Sequence, residues 1–133
     1  MRIEDVEGIG PAYAEKLIAA GVRSTDDLLM AGGSAGGREK VAAATGIPAK
    51  LLLEWVNHVD LMRINGVGSE YADLLEAAGV DSAAELAQRN ARNLAETFQE
   101  LDMARNTVRN IPTEAVIQRW IDEAQTLEKV VSH

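Results

Sequence analysis

Two short runs in the chain carry residues that could hold a ligand, Gly8-Ile9-Gly10-Pro11-Ala12 and Gly66-Val67-Gly68-Ser69-Glu70. Glycines flanking one aliphatic residue permit a positive-φ turn without Cβ clashes, and Ile9 and Val67 plug the space between two helices. The second glycine leaves the first amides of the following helix pointing outward at its positive end, a ready site for a phosphate or another anion. Such chemistry needs no catalytic side chain. Elsewhere reactive types are sparse. His58 beside Asp60 is one histidine without a second ligand cluster, which does not make a transition-metal site. Asp26 and Asp27 are accounted for as helix-start residues. Nucleophile-elbow, P-loop, dinucleotide and HExxH patterns are all missing. The chain therefore reads as non-enzymatic, with no cofactor and no metal.

The elements that must position these runs are helical. Ala, Leu and Glu recur at helical spacing and β-branched alternation is missing, so the pattern predicts an all-α fold of eight to ten short helices. Pro11 opens a helix whose apolar face is Tyr13, Ala14, Leu17 and Ile18, and Gly21 stops it. Ser24, with Asp27 three places on, starts the next, which ends near Gly32-Gly33. Gly32 to Gly37 reads as a flexible connection, followed by a short helix from Glu39 to Thr45 closed by Gly46. Ile47-Pro48 opens a longer helix to about Leu61, with Leu51, Leu52, Trp55, Val56 and Val59 on one face.

The sequence then repeats itself. Positions 8 to 28 align without gaps on 66 to 86, an offset of 58, with 11 of 21 residues identical. Ser82 and Glu85 rebuild the helix start of Ser24 and Asp27. Ile47-Pro48 followed by Trp55-Val56 is echoed by Ile111-Pro112 followed by Trp120-Ile121, with one inserted residue. A linking helix from Asn93 to Arg105 precedes that echo. The expected organisation is thus two pseudo-symmetric halves, 1–60 and 61–133, each a hairpin pair with a closing helix, together forming one compact unit. Tyr13, Tyr71, Trp55 and Trp120 are read as packing residues, the tyrosine hydroxyls reaching the surface.

The run from Ile3 through Val6-Glu7-Gly8-Ile9-Gly10-Pro11, with Ala14 and Leu17, followed by Gly21-Val22-Arg23-Ser24 and Asp27-Leu28, resembles the helix-hairpin-helix superfamily, and the match occurs twice. Over nearly its whole length the chain also resembles an uncharacterised bacterial family of tandem helix-hairpin-helix domains of unknown function. The resemblance implies duplex backbone contact through the hairpin amides, as in DNA repair proteins of that superfamily. It also implies that hairpin carbonyls hold a monovalent cation in some members. The position two after the second glycine, often Lys or Arg in DNA-binding members, is Ala12 or Glu70 here. The acidic stretch Gly21 to Leu28 is similar instead to protein-binding repeats of a bacterial transcription elongation factor.

Charge weighs on the same side. Net charge is -8 and aromatics are 4% of the chain, whereas duplex binding calls for a basic face and single-strand binding for stacking platforms. Residues 3 to 16 hold Glu4, Asp5, Glu7 and Glu15 against Lys16 alone. A carboxylate about 4 Å from a phosphate is repelled by about 1 kcal/mol in water and roughly 4 at an effective dielectric of 20. Arg89, Arg92, Arg105, Arg109 and Arg119 are interspersed with Glu96, Glu100, Asp102 and Glu114, a solvated mixed-charge surface. Cysteine is absent and Met1-Arg2-Ile3-Glu4-Asp5 runs into acidic sequence rather than an apolar leader segment, so a cytoplasmic location is expected. Runs such as Leu51 to Leu53 fall far below the roughly 18 residues of a membrane span. The reading is a tandem helix-hairpin-helix adaptor that binds a protein partner in nucleic-acid transactions. Sequence-nonspecific duplex binding and self-assembly of duplicated halves stay open.

Overall fold

The computed structural model describes residues 1–105 and 110–133. Every regular element is helical, eight α-helices and one 3-10 turn, with no strand beyond an isolated Arg2–Ser24 bridge among the described residues. The all-α fold is as the spacing predicts. The chain forms two compact units, Met1–Asp60 with Lys129–His133, and Leu61–Glu128.

In the first unit a 3-10 turn (Ile3–Asp5) leads to α1 (Pro11–Ala19), α2 (Thr25–Gly32), α3 (Ala35–Thr45) and α4 (Ala49–Leu61). The segment before α1 is a chain of tight turns. Val6 N–H donates to the Ile3 carbonyl at 3.3 Å and Ile9 N–H to the Val6 carbonyl at 3.2 Å. Three residues per turn bring every third side chain to one face, and Ile3, Val6 and Ile9 are accordingly all buried. Ile9 is thus a core plug, but the element before it is a turn of three residues rather than the expected helix.

α1 closes in a Schellman arrangement. Gly21, at φ 90°, donates to the Ile18 carbonyl, and Val22 to the Leu17 carbonyl at 2.9 Å; only glycine adopts that φ without strain. Ser24 Oγ then accepts the Asp27 N–H at 3.1 Å while Asp27 Oδ2 accepts the Arg23 N–H at 3.0 Å. The expected helix start is confirmed, with the acid reaching one residue further back than a standard capping box. Leu17, Leu28, Leu52, Trp55 and Val56 fill the core behind these elements.

The expected connection from Gly32 to Gly37 is corrected. Only Gly33 and Ser34 lie between helices, and Gly36 and Gly37 are inside α3, which Ser34 caps by accepting the Gly37 N–H at 3.0 Å. Gly33 and Gly37 answer to close packing rather than to freedom. A Cβ on Gly37 would sit 2.1 Å from the Ala31 carbonyl oxygen, and one on Gly33 would sit 2.6 Å from the Val130 oxygen. Residues 129–133 run beside this point. Ser132 N–H donates to the Gly33 carbonyl at 2.8 Å. Arg38, 4% exposed, donates to the carbonyls of Gly32, Gly33 and Ser132. Three carbonyl acceptors are what allow a guanidinium to remain buried there.

The second unit rebuilds the same plan with α5 (Ser69–Ala77), α6 (Ala83–Leu86), α7 (Ala91–Arg105) and α8 (Glu114–Ala124). Leu61, Ile64 and Val67 repeat the buried triplet. Ile64 N–H donates to Leu61 at 3.2 Å and Val67 N–H to Ile64 at 3.1 Å. Gly79, at φ 87°, and Val80 repeat the closure of α1. Ser82 and Glu85 repeat the start of α2, with contacts of 3.2 and 2.9 Å. Leu75, Leu86, Phe98, Ile117 and Trp120 are the centre of this core.

Candidate functional site

Each glycine turn divides its two glycines between different tasks. Gly8 and Gly66 have φ of 93° and 89°, a backbone that L-residues adopt only with strain. Gly10 and Gly68 have φ of −72° and −92°, extended values open to any residue, so only the first glycine of each triplet supplies the positive-φ turn. A Cβ on Gly10 or Gly68 would meet nothing within 4 Å. Neither conformation nor internal packing requires glycine at these two positions.

Gly10 and Gly68 are the N-caps of α1 and α5, and neither helix start has a side-chain cap. Ser24, Ser34, Ser82 and Thr113 cap their own helices through a hydroxyl, and Asn90 Oδ1 accepts the Asn93 N–H. Gly10 and Gly68 thus give the positive ends of α1 and α5 no N-cap oxygen of the kind that Ser24, Ser34, Ser82 and Thr113 supply elsewhere.

The residues expected to bind are placed as follows. Gly8, Gly10, Pro11 and Ala12 are exposed around the first turn, with Ile9 buried beneath them. Gly66, Gly68 and Glu70 are exposed around the second, Ser69 is half-buried and Val67 is buried. Ile9 and Val67 are therefore supports of a surface rather than parts of it. Glu4, Asp5, Glu7 and Glu15 are all exposed near the first turn. Arg2 lies hydrogen-bonded to Glu4, and that bond together with the charges of Glu4 and Asp5 raises its guanidinium above its ordinary value. The cation closest in sequence to this acidic cluster is thus already engaged.

Behind each turn a tyrosine packs on the tryptophan of the closing helix, Tyr13 on Trp55 and Tyr71 on Trp120, both with ring centroids 5.3 Å apart. Both tryptophans are core, as their spacing predicts. The tyrosines differ. Tyr71 donates its hydroxyl to the Asn110 carbonyl at 3.0 Å, whereas Tyr13 is more exposed and carries Lys16 Nζ 6.0 Å from its ring centre. His58 and Asp60 are both buried in α4. Of the arginines, Arg89 donates to the Gly79 carbonyl and Arg92 pairs with Glu96 at 3.7 Å. The Arg105 side chain and Arg109 lie outside the described residues.

Sequence reasoning missed a pocket of about 380 Å³ in the second unit, between the glycine turn and α8. It is lined by Asn65, Gly66, Tyr71, Val116, Arg119 and Trp120, with Glu123 at its edge. Nothing in the spacing marks it, because Trp120 reads as core and Arg119 as surface, and both descriptions are true.

An all-α chain with duplicated glycine turns ahead of uncapped helix starts is the class that fold and site define. Its sequence matches the family model described as Domain of unknown function (DUF4332) over residues 7–127, and the chain belongs to that family. No curated protein and no solved structure matches it. No helix among the described residues is long and apolar enough to cross a membrane.

Proposed function

We propose that the chain is a non-catalytic binding module of the tandem helix-hairpin-helix type, a protein-interaction adaptor that contacts its partner through the two glycine turns. One observation carries this reading: at the first turn, an uncapped helix start stands among the exposed carboxylates Glu4, Asp5, Glu7 and Glu15. Open amides call for an acceptor oxygen and the carboxylates call for cations. A protein surface supplies carbonyls together with Lys and Arg, and satisfies both. A duplex backbone supplies only anions, so it would meet the amides at the cost of repulsion by each nearby acid. The resemblance to helix-hairpin-helix proteins of DNA repair and transcription associates that partner with nucleic-acid machinery.

The experiment has two arms. Fluorescence anisotropy on a short duplex at low salt should show no binding, and affinity capture after nuclease treatment should retain a specific protein that Gly10→Glu and Gly68→Glu release. Duplex affinity that falls steeply with salt and collapses on Gly10→Glu would overturn the protein reading in favour of backbone binding.

A further inference from the structure

The two units treat one place in the repeat differently. Helices α3 and α7 start alike, since Ser34 Oγ accepts the Gly37 N–H and Asn90 Oδ1 accepts the Asn93 N–H, three residues on in each case. Counted from these caps, Gly32, Gly33 and Arg38 correspond to Gln88, Arg89 and Leu94. In the first unit residues 129–133, which are not helical, run beside this place. Ser132 donates its N–H to the carbonyl just before the cap, that of Gly33, and its own carbonyl accepts from Arg38, four residues after the cap. In the second unit the same place is an open pocket of about 290 Å³, lined by Gln88, Arg89, Asn90, Asn93, Leu94 and Thr97.

The first unit therefore shows what such a helix junction accepts, and the lining of the second narrows it. Arg38 satisfies the carbonyls of Gly32 and Gly33, whereas Leu94 has no donor to give. The carbonyls of Gln88 and Arg89 accept no hydrogen bond among the described residues. Donors in the pocket are the side-chain amides of Gln88, Asn90 and Asn93, together with Arg89, which its bond to the Gly79 carbonyl holds in place at 3.1 Å. None of the six lining residues is a carboxylate. A compact anion such as phosphate would use Arg89 but turn acceptors toward the two carbonyls. A polypeptide backbone supplies N–H groups to the carbonyls and carbonyls to the amides. Val131 buries its side chain in the first core, but the second pocket is polar apart from Leu94, so its occupant differs from residues 129–133.

We propose that this pocket docks a polar, non-helical segment of the partner polypeptide, in the way the first unit holds its own residues 129–133. A backbone N–H of the segment donates to the Arg89 carbonyl, a backbone carbonyl accepts from the Asn93 amide, and an acidic side chain lies against the Arg89 guanidinium. The inference rests on the protein-partner reading and names a contact of that partner outside the glycine turns. The backbone contacts hold any segment, and the charge beside Arg89 selects among them.

The test follows the side-chain amide resonances of Asn90 and Asn93 in the ¹⁵N-labelled full chain during titration with the blocked tripeptide N-acetyl-Ser-Asp-Ser-N′-methylamide. Both should shift saturably, with a dissociation constant on the order of millimolar, while the Ser132 amide of the first unit stays in place. Asn93→Glu sets a carboxylate in the pocket at the third position of α7, where glutamate suits a helix start. It should weaken binding about tenfold or more, read on the Asn90 amide, with an unchanged circular dichroism spectrum. The same tripeptide with lysine at its centre should bind more weakly. Unmoved Asn90 and Asn93 amides, an equal shift at Ser132, undiminished binding by N93E or tighter binding of the lysine peptide would overturn the proposal. Stronger shifts with inorganic phosphate than with the peptide would replace the segment with an anion. Partner capture that survives N93E but fails in G10E would sink the pocket alone, and capture that G10E and G68E leave intact would sink the glycine-turn reading.

Discussion

Replacing the two glycines of the first turn one at a time separates what the fold needs from what a ligand needs. Gly8→Ala places a Cβ on a backbone at φ 93° with no neighbour to clash with, so its cost is conformational alone. Left-handed backbone costs an L-residue about 1–2 kcal/mol, and the stiffer unfolded chain returns about 0.4–1, leaving a net loss of about 1 kcal/mol. Gly10→Ala has neither strain nor contact, at φ −72° with open space around the new methyl. Its unfolded-state gain of about 0.4–1 kcal/mol is set against a loss of at most a few tenths to about 1 for alanine at an N-cap, a net change near zero. With a urea slope of about 1 kcal/mol/M for a small unit, Gly8→Ala should lower the midpoint by about 1 M and Gly10→Ala should leave it unchanged. Urea titration read on the Trp55 indole resonance reports the first unit. Equal losses from both substitutions would refute the division of labour, because they would show that Gly10 serves the fold. Partner capture should move the other way, weakened by bulky residues at Gly10 and indifferent to stability.

Arg38→Met strands the carbonyls of Gly32, Gly33 and Ser132; it should cost about 2–4 kcal/mol and remove hydrogen-exchange protection from the Ser132 amide, and an amide that remains protected would refute the clamp. Gly33→Ala should give the same loss of protection, because its Cβ would meet the Val130 and Leu29 carbonyls at 2.6 and 2.7 Å. Tyr71→Phe should cost about 0.5–1 kcal/mol through the lost bond to Asn110, whereas Tyr13→Phe, whose hydroxyl has no hydrogen-bond partner among the described residues, should be neutral by thermal melt. Ser24→Ala and Ser82→Ala should each cost about 1 kcal/mol, and a difference of more than about 1 between them would contradict the equivalence of the two helix starts.

Much of the fold is legible because its signals are local. A serine cap with an acid three residues on, a glycine at the αL closure of a helix and a proline in a first turn each act within one turn of chain, and the first two reappear at an offset of 58. The Gly32 to Gly37 run misleads because glycine has two uses, freedom and closeness, and only the tail at Val130 and the carbonyl of Ala31 decide between them. The Val130 contact comes from a distant part of the chain, out of reach of a local reading. The same holds for Arg38, an ordinary arginine in sequence whose acceptors include one 94 residues away. Before α1, Ile3, Val6 and Ile9 recur every three residues, a spacing that a helix and a chain of tight turns share until the hydrogen bonds are seen.

The duplication also argues about where function resides. Positions kept between the halves, Gly8 with Gly66, Leu17 with Leu75, Gly21 with Gly79 and Ser24 with Ser82, are those the fold uses for turns, core and caps. Gly10 and Gly68 are also kept, although nothing inside the structure requires glycine there. Around them the surface has diverged: Pro11 against Ser69, Ala12 against Glu70, Lys16 against Leu74. A shared backbone feature with unlike surroundings is what two contacts on one asymmetric partner would produce, whereas the regular spacing of duplex phosphates favours like surroundings at both. If the two turns are the binding surface proposed above, they share one way of presenting amides, and the residues that differ between them would set what each turn accepts.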